Sequence, residues 1–159
     1  MNVVITVFTI MSMYLNLTKS TDNMFYYNAD TENGAVTTLY VYENRAGYLS
    51  PKLCYHFDYD DQGRLTERIT CRWNARAKSY QPKSCLRFNY LESEYELSHS
   101  TWNNKKGTWN HIDQKMLYCL DSDQLDSVTH ILVGSNDAET TIKRLFILGS
   151  NNDNLYAEK

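Results

Sequence analysis

The segment Pro51-Lys52-Leu53-Cys54-Tyr55-His56-Phe57-Asp58-Tyr59 returns 31 residues later as Pro82-Lys83-Ser84-Cys85-Leu86-Arg87-Phe88-Asn89-Tyr90. Self-similarity at a fixed period marks a fold built by stacking one supersecondary unit that cannot bury its apolar face alone. Aligning on Phe57/Tyr59 brings Phe88/Tyr90, Tyr118/Leu120 and Phe146/Leu148 into register, at spacings of 31, 30 and 28 residues. Between these lies a second half-unit. Trp73-Asn74 with Tyr80 matches Trp102-Asn103 with Trp109, and Tyr42 with Tyr48 and Val133 with Thr140 are degenerate copies. Such a period holds two strands of about ten residues and two turns, with no room for a helical crossover. Consecutive strands must be antiparallel neighbours.

The turns fit this placement. Asp60-Asp61-Gln62-Gly63, Glu43-Asn44-Arg45-Ala46-Gly47 and Asn103-Asn104-Lys105-Lys106-Gly107 carry the Asn, Asp and Gly of hairpin loops. Thirteen Tyr, five Phe and three Trp, against six Gly and two Pro, favour half-buried strands. Leu53, Tyr55, Phe57 and Tyr59 share one strand face, opposite Cys54, His56 and Asp58, and Leu86, Phe88 and Tyr90 repeat the pattern. Unbroken alternation also puts Leu65, Ile69, Cys71 and Trp73 together. The same counting sends Trp102 to the face opposite Trp73, which calls for a β-bulge between Leu97 and Trp102 or an outward Trp102. The expectation is all-β: an antiparallel meander of nine strands near 35–42, 48–59, 65–74, 79–90, 94–103, 108–120, 124–133, 140–148 and 154–158. A sheet this wide twists strongly and curls toward a half-rolled or closed barrel.

Residues 1–20 hold the apolar run Val3 to Leu15, of the length of an export-signal core and too short to span a membrane. The other reading of this run is a first buried strand. Residues 21–34, rich in Asn, Asp and Thr, read as a polar linker, and 35–159 as a single repeat domain. The net charge of −3, from 16 basic and 19 acidic residues, supplies no basic stripe for nucleic acid and no polybasic segment for a membrane surface.

Candidate chemistry is sparse. Parity sets Cys54 and Cys71 on opposite faces, likewise Cys71 and Cys85, and leaves Cys54 and Cys85 two strands apart, so with Cys119 four free thiols are expected. Without a CxxC, an HxxxH or a cysteine pair at ligand spacing, no metal and no cofactor is expected. His56, His99, His111 and His130 fall on separate strands, outside any catalytic motif. The acidic run Asp121 to Asp126 lacks the central Gly and distal Glu of a calcium loop and reads as a hairpin turn. The feature that suggests function is the row of strand-end aromatics: Tyr42, Tyr48, Trp73, Tyr80, Trp102 and Trp109, beside Asn, Lys and Arg turns. Structurally they are cross-strand pairs closing each hairpin. Functionally they form a rim able to stack sugar rings or grip an extended peptide. The expected role is a non-catalytic exported binding or surface module. A glycan-processing enzyme would need paired carboxylates, for which Asp58, Glu67 and Glu96 are the available residues. A homo-oligomer pairing through sheet edges is the third reading.

The residues Tyr59-Asp60-Asp61-Gln62-Gly63-Arg64-Leu65-Thr66, followed by Trp73-Asn74 and Tyr80-Gln81-Pro82, resemble an uncharacterised domain-of-unknown-function family of aromatic-rich repeat proteins, thought to be secreted by gut anaerobic bacteria. The resemblance runs from about Thr37 to Ile131. It implies an all-β fold and export, and brings no activity, cofactor or site. The Tyr-Asp-x-x-Gly-Arg element is also distantly similar to the YD repeats of bacterial surface proteins and toxin shells.

Overall fold

The structure, a computed structural model, describes residues 4–19, 24–121 and 124–146. A helix α1 (Val7–Thr18) precedes strands β1 (Phe25–Glu32), β2 (Ala35–Arg45), β3 (Tyr48–Tyr59), β4 (Leu65–Asn74), β5 (Ser79–Tyr90), β6 (Glu94–Asn103), β7 (Thr108–Trp109), β8 (Gln114–Asp121), β9 (Gln124–Val133) and β10 (Glu139–Phe146). All ten strands are antiparallel in one open sheet, ordered as in the chain, with the short β7 pairing β6 off the main path. The meander is confirmed, and the sheet is not closed into a barrel. β1 and β10 lie at opposite edges of the sheet order, so the curl stops short of closure.

Two boundaries differ from the sequence reading. Residues 25–32, read as linker, form β1 along β2, from Phe25↔Glu43 to Glu32↔Ala35. Phe25, Tyr27 and Ala29 are partly buried between exposed Tyr26, Asn28 and Asp30, a period-two pattern that the Asn and Asp content disguises. The single strand expected over 108–120 is two, because β6 pairs β7 at its end and β8 along its start. The strand expected at 154–158 lies outside the described residues.

The apolar run near the N-terminus is helical rather than a strand. Thr6 caps α1 by accepting from the Thr9 backbone N–H at 3.4 Å, and the Thr9 side chain accepts from Thr6 N–H at 3.2 Å. Two backbone bonds fasten the entry to the β3–β4 turn: Val7 N–H to Gly63 O at 2.9 Å and Leu65 N–H to Ile5 O at 2.8 Å. Gly63 sits at φ +72°, where a side chain is strained. The helix then lays Ile10 against Val36, Leu39, Phe57 and Leu65, the buried core, with Tyr27, Tyr55, Tyr59 and Phe88 around it.

The repeat also carries β-bulges. Val41↔Leu53 is followed by Tyr42↔Pro51, leaving Lys52 as an extra residue, and Thr70↔Ser84 followed by Cys71↔Pro82 leaves Lys83 in the same way. The recurring Pro-Lys is therefore a recurring bulge, a place where a proline inside a sheet is tolerated. Thr37, Thr66 and Asp126 are the extra residues of a second series. The carbonyls just before the first two of these receive tyrosine hydroxyls: Tyr59 Oη donates to Val36 O at 2.9 Å and Tyr90 Oη to Leu65 O at 2.7 Å. Equivalent tyrosines of successive copies thus serve equivalent bulges.

Burial pushes both hydroxyls up to about 12. The unfolded chain releases these protons near pH 10, whereas the fold holds them. Stability contributed by the neutral phenols is thus complete below about pH 10 and is lost as pH rises toward 12. Urea midpoints should fall as pH rises, from about pH 8.5 where the unfolded thiols of Cys54, Cys71 and Cys85 ionise and more steeply above about pH 10, and Tyr59→Phe combined with Tyr90→Phe should flatten the part of the fall above pH 10.

Candidate functional site

The bulges decide which aromatics meet. Thr66 shifts the alternation of β4, so Ile69, Cys71 and Trp73 lie on the face opposite Leu65, where continuous alternation had put them together. β5 and β6 pair without irregularity from Tyr90↔Tyr95 to Ser84↔Thr101, which places Trp102 on the same face as Trp73. Of the two alternatives for this strand, a bulge between Leu97 and Trp102 or an outward Trp102, the bulge is absent from this pairing, which runs unshifted from Leu97 to Thr101. The shifts occur at residues 66 and 83 instead.

Beyond Thr101, β6 leaves β5 and turns with β7, opening a split between two hairpin ends. A groove of about 540 Å³ occupies the split, with Trp73, Trp102, Arg72, Arg76, Lys83 and Asn104 among its lining residues. No carboxylate lines it, and none of its three cations is in an ion pair among the described residues. Hairpin geometry holds the walls. Asn74 Oδ1 accepts from the Arg76 and Ala77 N–H groups at 3.0 and 3.1 Å, and Asn103 Oδ1 accepts from Lys105 and Lys106 at 3.1 Å. The amide nitrogens of the same residues bond Gln81 and Asn110, each seven positions on. Repeated Trp-Asn therefore means a repeated Asx turn.

Of the six expected rim residues, Trp73 and Trp102 line this groove. Tyr80 and Trp109 are their edge-to-face partners, with ring centroids 5.0 Å apart in both pairs. Tyr42 stands opposite Pro51, while Tyr48, 79% exposed, stands opposite Arg45 at the β2–β3 hairpin, and neither lines the groove. Asp58 and Glu67 oppose each other across β3 and β4, but Glu67 is bound by Arg87 at 2.8 Å and Glu96 pairs with Lys115 at 3.7 Å.

The same shift at Thr66 makes a second cluster. Cys54 and Cys71, expected on opposite faces, are directly paired across β3 and β4. Among the described residues, Cys54, His56 and Cys71 bring one thiol, imidazole or thiol atom each to within 4.8 Å of the others. Cys54 Sγ lies 3.6 Å from His56 Nε2, and His56 Nδ1 lies 3.1 Å from Thr38 Oγ1. Tyr40 on β2 and Tyr80 on β5 meet with ring centroids 5.9 Å apart, although two strands separate them. Strands three places apart are about 14 Å apart in a flat sheet, so the rings close over β3 and β4. Beneath them Cys54 is fully buried and Cys71 nearly so. Burial raises both thiols, Cys54 up to about 12. All four cysteines are free thiols.

A family model described as a family of unknown function, DUF3836, matches residues 1–120. The chain belongs to the DUF3836 family. Solved structures agree in fold. A protein with unknown function from Bacteroides fragilis is 23% identical, with a TM-score of 0.70 over 84% of this chain and 96% of its own. A DUF3836 protein from Bacteroides vulgatus gives 23% identity and a TM-score of 0.52 over 55% of this chain and 89% of its own. Another from Parabacteroides distasonis gives 22% and 0.54 over 60% and 89%. A comparison with curated proteins finds no match. Sequence reasoning missed two features of this DUF3836 chain, the split that makes the groove and the Cys-x-His opposite a second thiol. Both depend on bulges, whose traces in the sequence are the recurring Pro-Lys and the Thr three places after Gly34 and Gly63.

Proposed function

We propose that this chain is an exported, non-catalytic binding module of a bacterium, and that its ligand is an anionic glycan held in the groove between the β4–β5 and β6–β7 hairpins. The observation that carries this is the meeting of two half-buried tryptophans with three cations that have no acidic partner. Aromatic rings offer flat apolar surface to sugar rings, and unpaired Arg and Lys supply charge-assisted bonds to carboxylate or sulfate groups. In a chain of net charge −3 this local cationic surface has no structural debt to settle. Export accords with the apolar run Val3 to Leu15. The absence of a groove-facing carboxylate supports binding over hydrolysis.

Arg76 and Lys83 are exposed, so their replacement leaves the fold in place. Titration with a polyuronate or sulfated polysaccharide should show affinity that weakens with salt and drops by at least tenfold in Arg76→Ala/Lys83→Ala. Trp102→Ala should remove what remains. Equal binding of a neutral glycan, or a preference for an acidic peptide over the polysaccharide, would refute the assignment.

A further inference from the structure

We propose that Cys54, His56 and Cys71 form a binding site for a thiophilic divalent ion, zinc in the first instance, ligated by Cys54 Sγ, Cys71 Sγ and His56 Nε2. The geometry suits the ion. A tetrahedral zinc with Zn–S of about 2.3 Å and Zn–N of about 2.0 Å sets its ligand atoms roughly 3.5 to 3.8 Å from one another. The 3.6 Å between Cys54 Sγ and His56 Nε2 already has that value, and no pair of ligand atoms exceeds 4.8 Å. Little rearrangement separates the observed cluster from a closed one.

The surroundings fit as well. Thr38 Oγ1 lies 3.1 Å from His56 Nδ1, so with an ion on Nε2 the ring proton sits on Nδ1 and the Thr38 hydroxyl is placed to accept it, the orienting contact that ligating histidines almost always have. Tyr40 and Tyr80 shield the thiol side from water, and partly exposed His56 gives the ion a way in. Tyr80 Oη is buried without a hydrogen-bond partner among the described residues. The fourth position is left to solvent. On binding, two Zn–S bonds form and each thiol gives its proton to water, so uptake of one ion releases two protons. Neither an oxidant nor a reductant is needed.

The site is independent of the groove, and so is its test. Cobalt(II), which takes the zinc geometry and is coloured, is added to the full-length reduced protein without oxygen. The expected result is one equivalent bound, with the near-ultraviolet thiolate charge-transfer band and strong visible bands of tetrahedral sulfur ligation, both displaced by zinc. His56→Gln keeps both thiols and should weaken binding more than tenfold, Thr38→Val should weaken it by about 10- to 100-fold, and Cys119→Ser should change nothing. Circular dichroism establishes that each variant is folded. Absence of the bands in folded reduced protein, bands unaffected by His56→Gln, or a Cys54–Cys71 disulfide whose reduction yields no cobalt binding would overturn the site.

Discussion

Replacing Phe57 with Ala is expected to lower the free energy of unfolding by about 3–5 kcal/mol, a large share of the stability of a domain this size. Phe57 is 3% exposed at the centre of the cluster formed with Ile10, Val36, Leu39 and Leu65. It sits on β3, whose neighbours β2 and β4 are fixed by full ladders, so the backbone cannot move in to fill the space. The cost therefore includes the cavity as well as the lost transfer of the ring from water. Phe88, one period later and only partly buried, should cost less when truncated. Urea unfolding of both variants, with unchanged m-values, checks the ranking.

Ile10→Asp is expected to have the next largest effect, and its mechanism differs. A carboxylate among Leu39, Phe57 and Leu65 has no partner there, so α1 leaves the sheet rather than bury the charge. The loss is then capped at the cost of uncovering that face, at least the roughly 1.5–3 kcal/mol from burial of Ile10 itself. Binding of a hydrophobic dye should rise at the same time, because Leu39 and Leu65 meet water. Unchanged stability with unchanged dye binding would show that the helix does not belong to the core. If the proposed export removes α1, the same face opens, and the mass of the mature chain reads that directly.

Much of this fold was legible in the sequence because antiparallel strands joined by short turns leave local marks. Alternation is unbroken from Leu53 to Tyr59 in β3 and from Ser84 to Tyr90 in β5, and the Asn or Asp that opens the β2–β3, β3–β4, β4–β5 and β6–β7 hairpins accepts from backbone N–H groups two or three residues on. The sequence positions of β3 to β6 follow from those marks alone. What stayed hidden depends on counting across a bulge. One extra residue reverses every later side chain of a strand, so inserting Thr66 moved Ile69, Cys71 and Trp73 together to the other face. The thiol cluster and the shared face of Trp73 and Trp102 were lost to the same single residue. β1 was obscured for another reason, since Asn28, Asp30 and Thr31 suit a loop by composition and reveal a strand only through Tyr27 and Ala29 packing on the core. Of the six rim aromatics, sequence reasoning had the two that line the groove. Their cationic neighbours Arg72, Arg76 and Lys83 come together only through the parting of β5 from β6.

Everything assigned to this sheet rests on the extra residue in β4, and nuclear Overhauser contacts between β3 and β4 measure it. The account predicts cross-strand contacts linking Cys54 to Cys71 and Tyr55 to Thr70. Contacts linking Cys54 to Thr70 and Tyr55 to Ile69 instead, the pattern of a ladder without a bulge at Thr66, would contradict it.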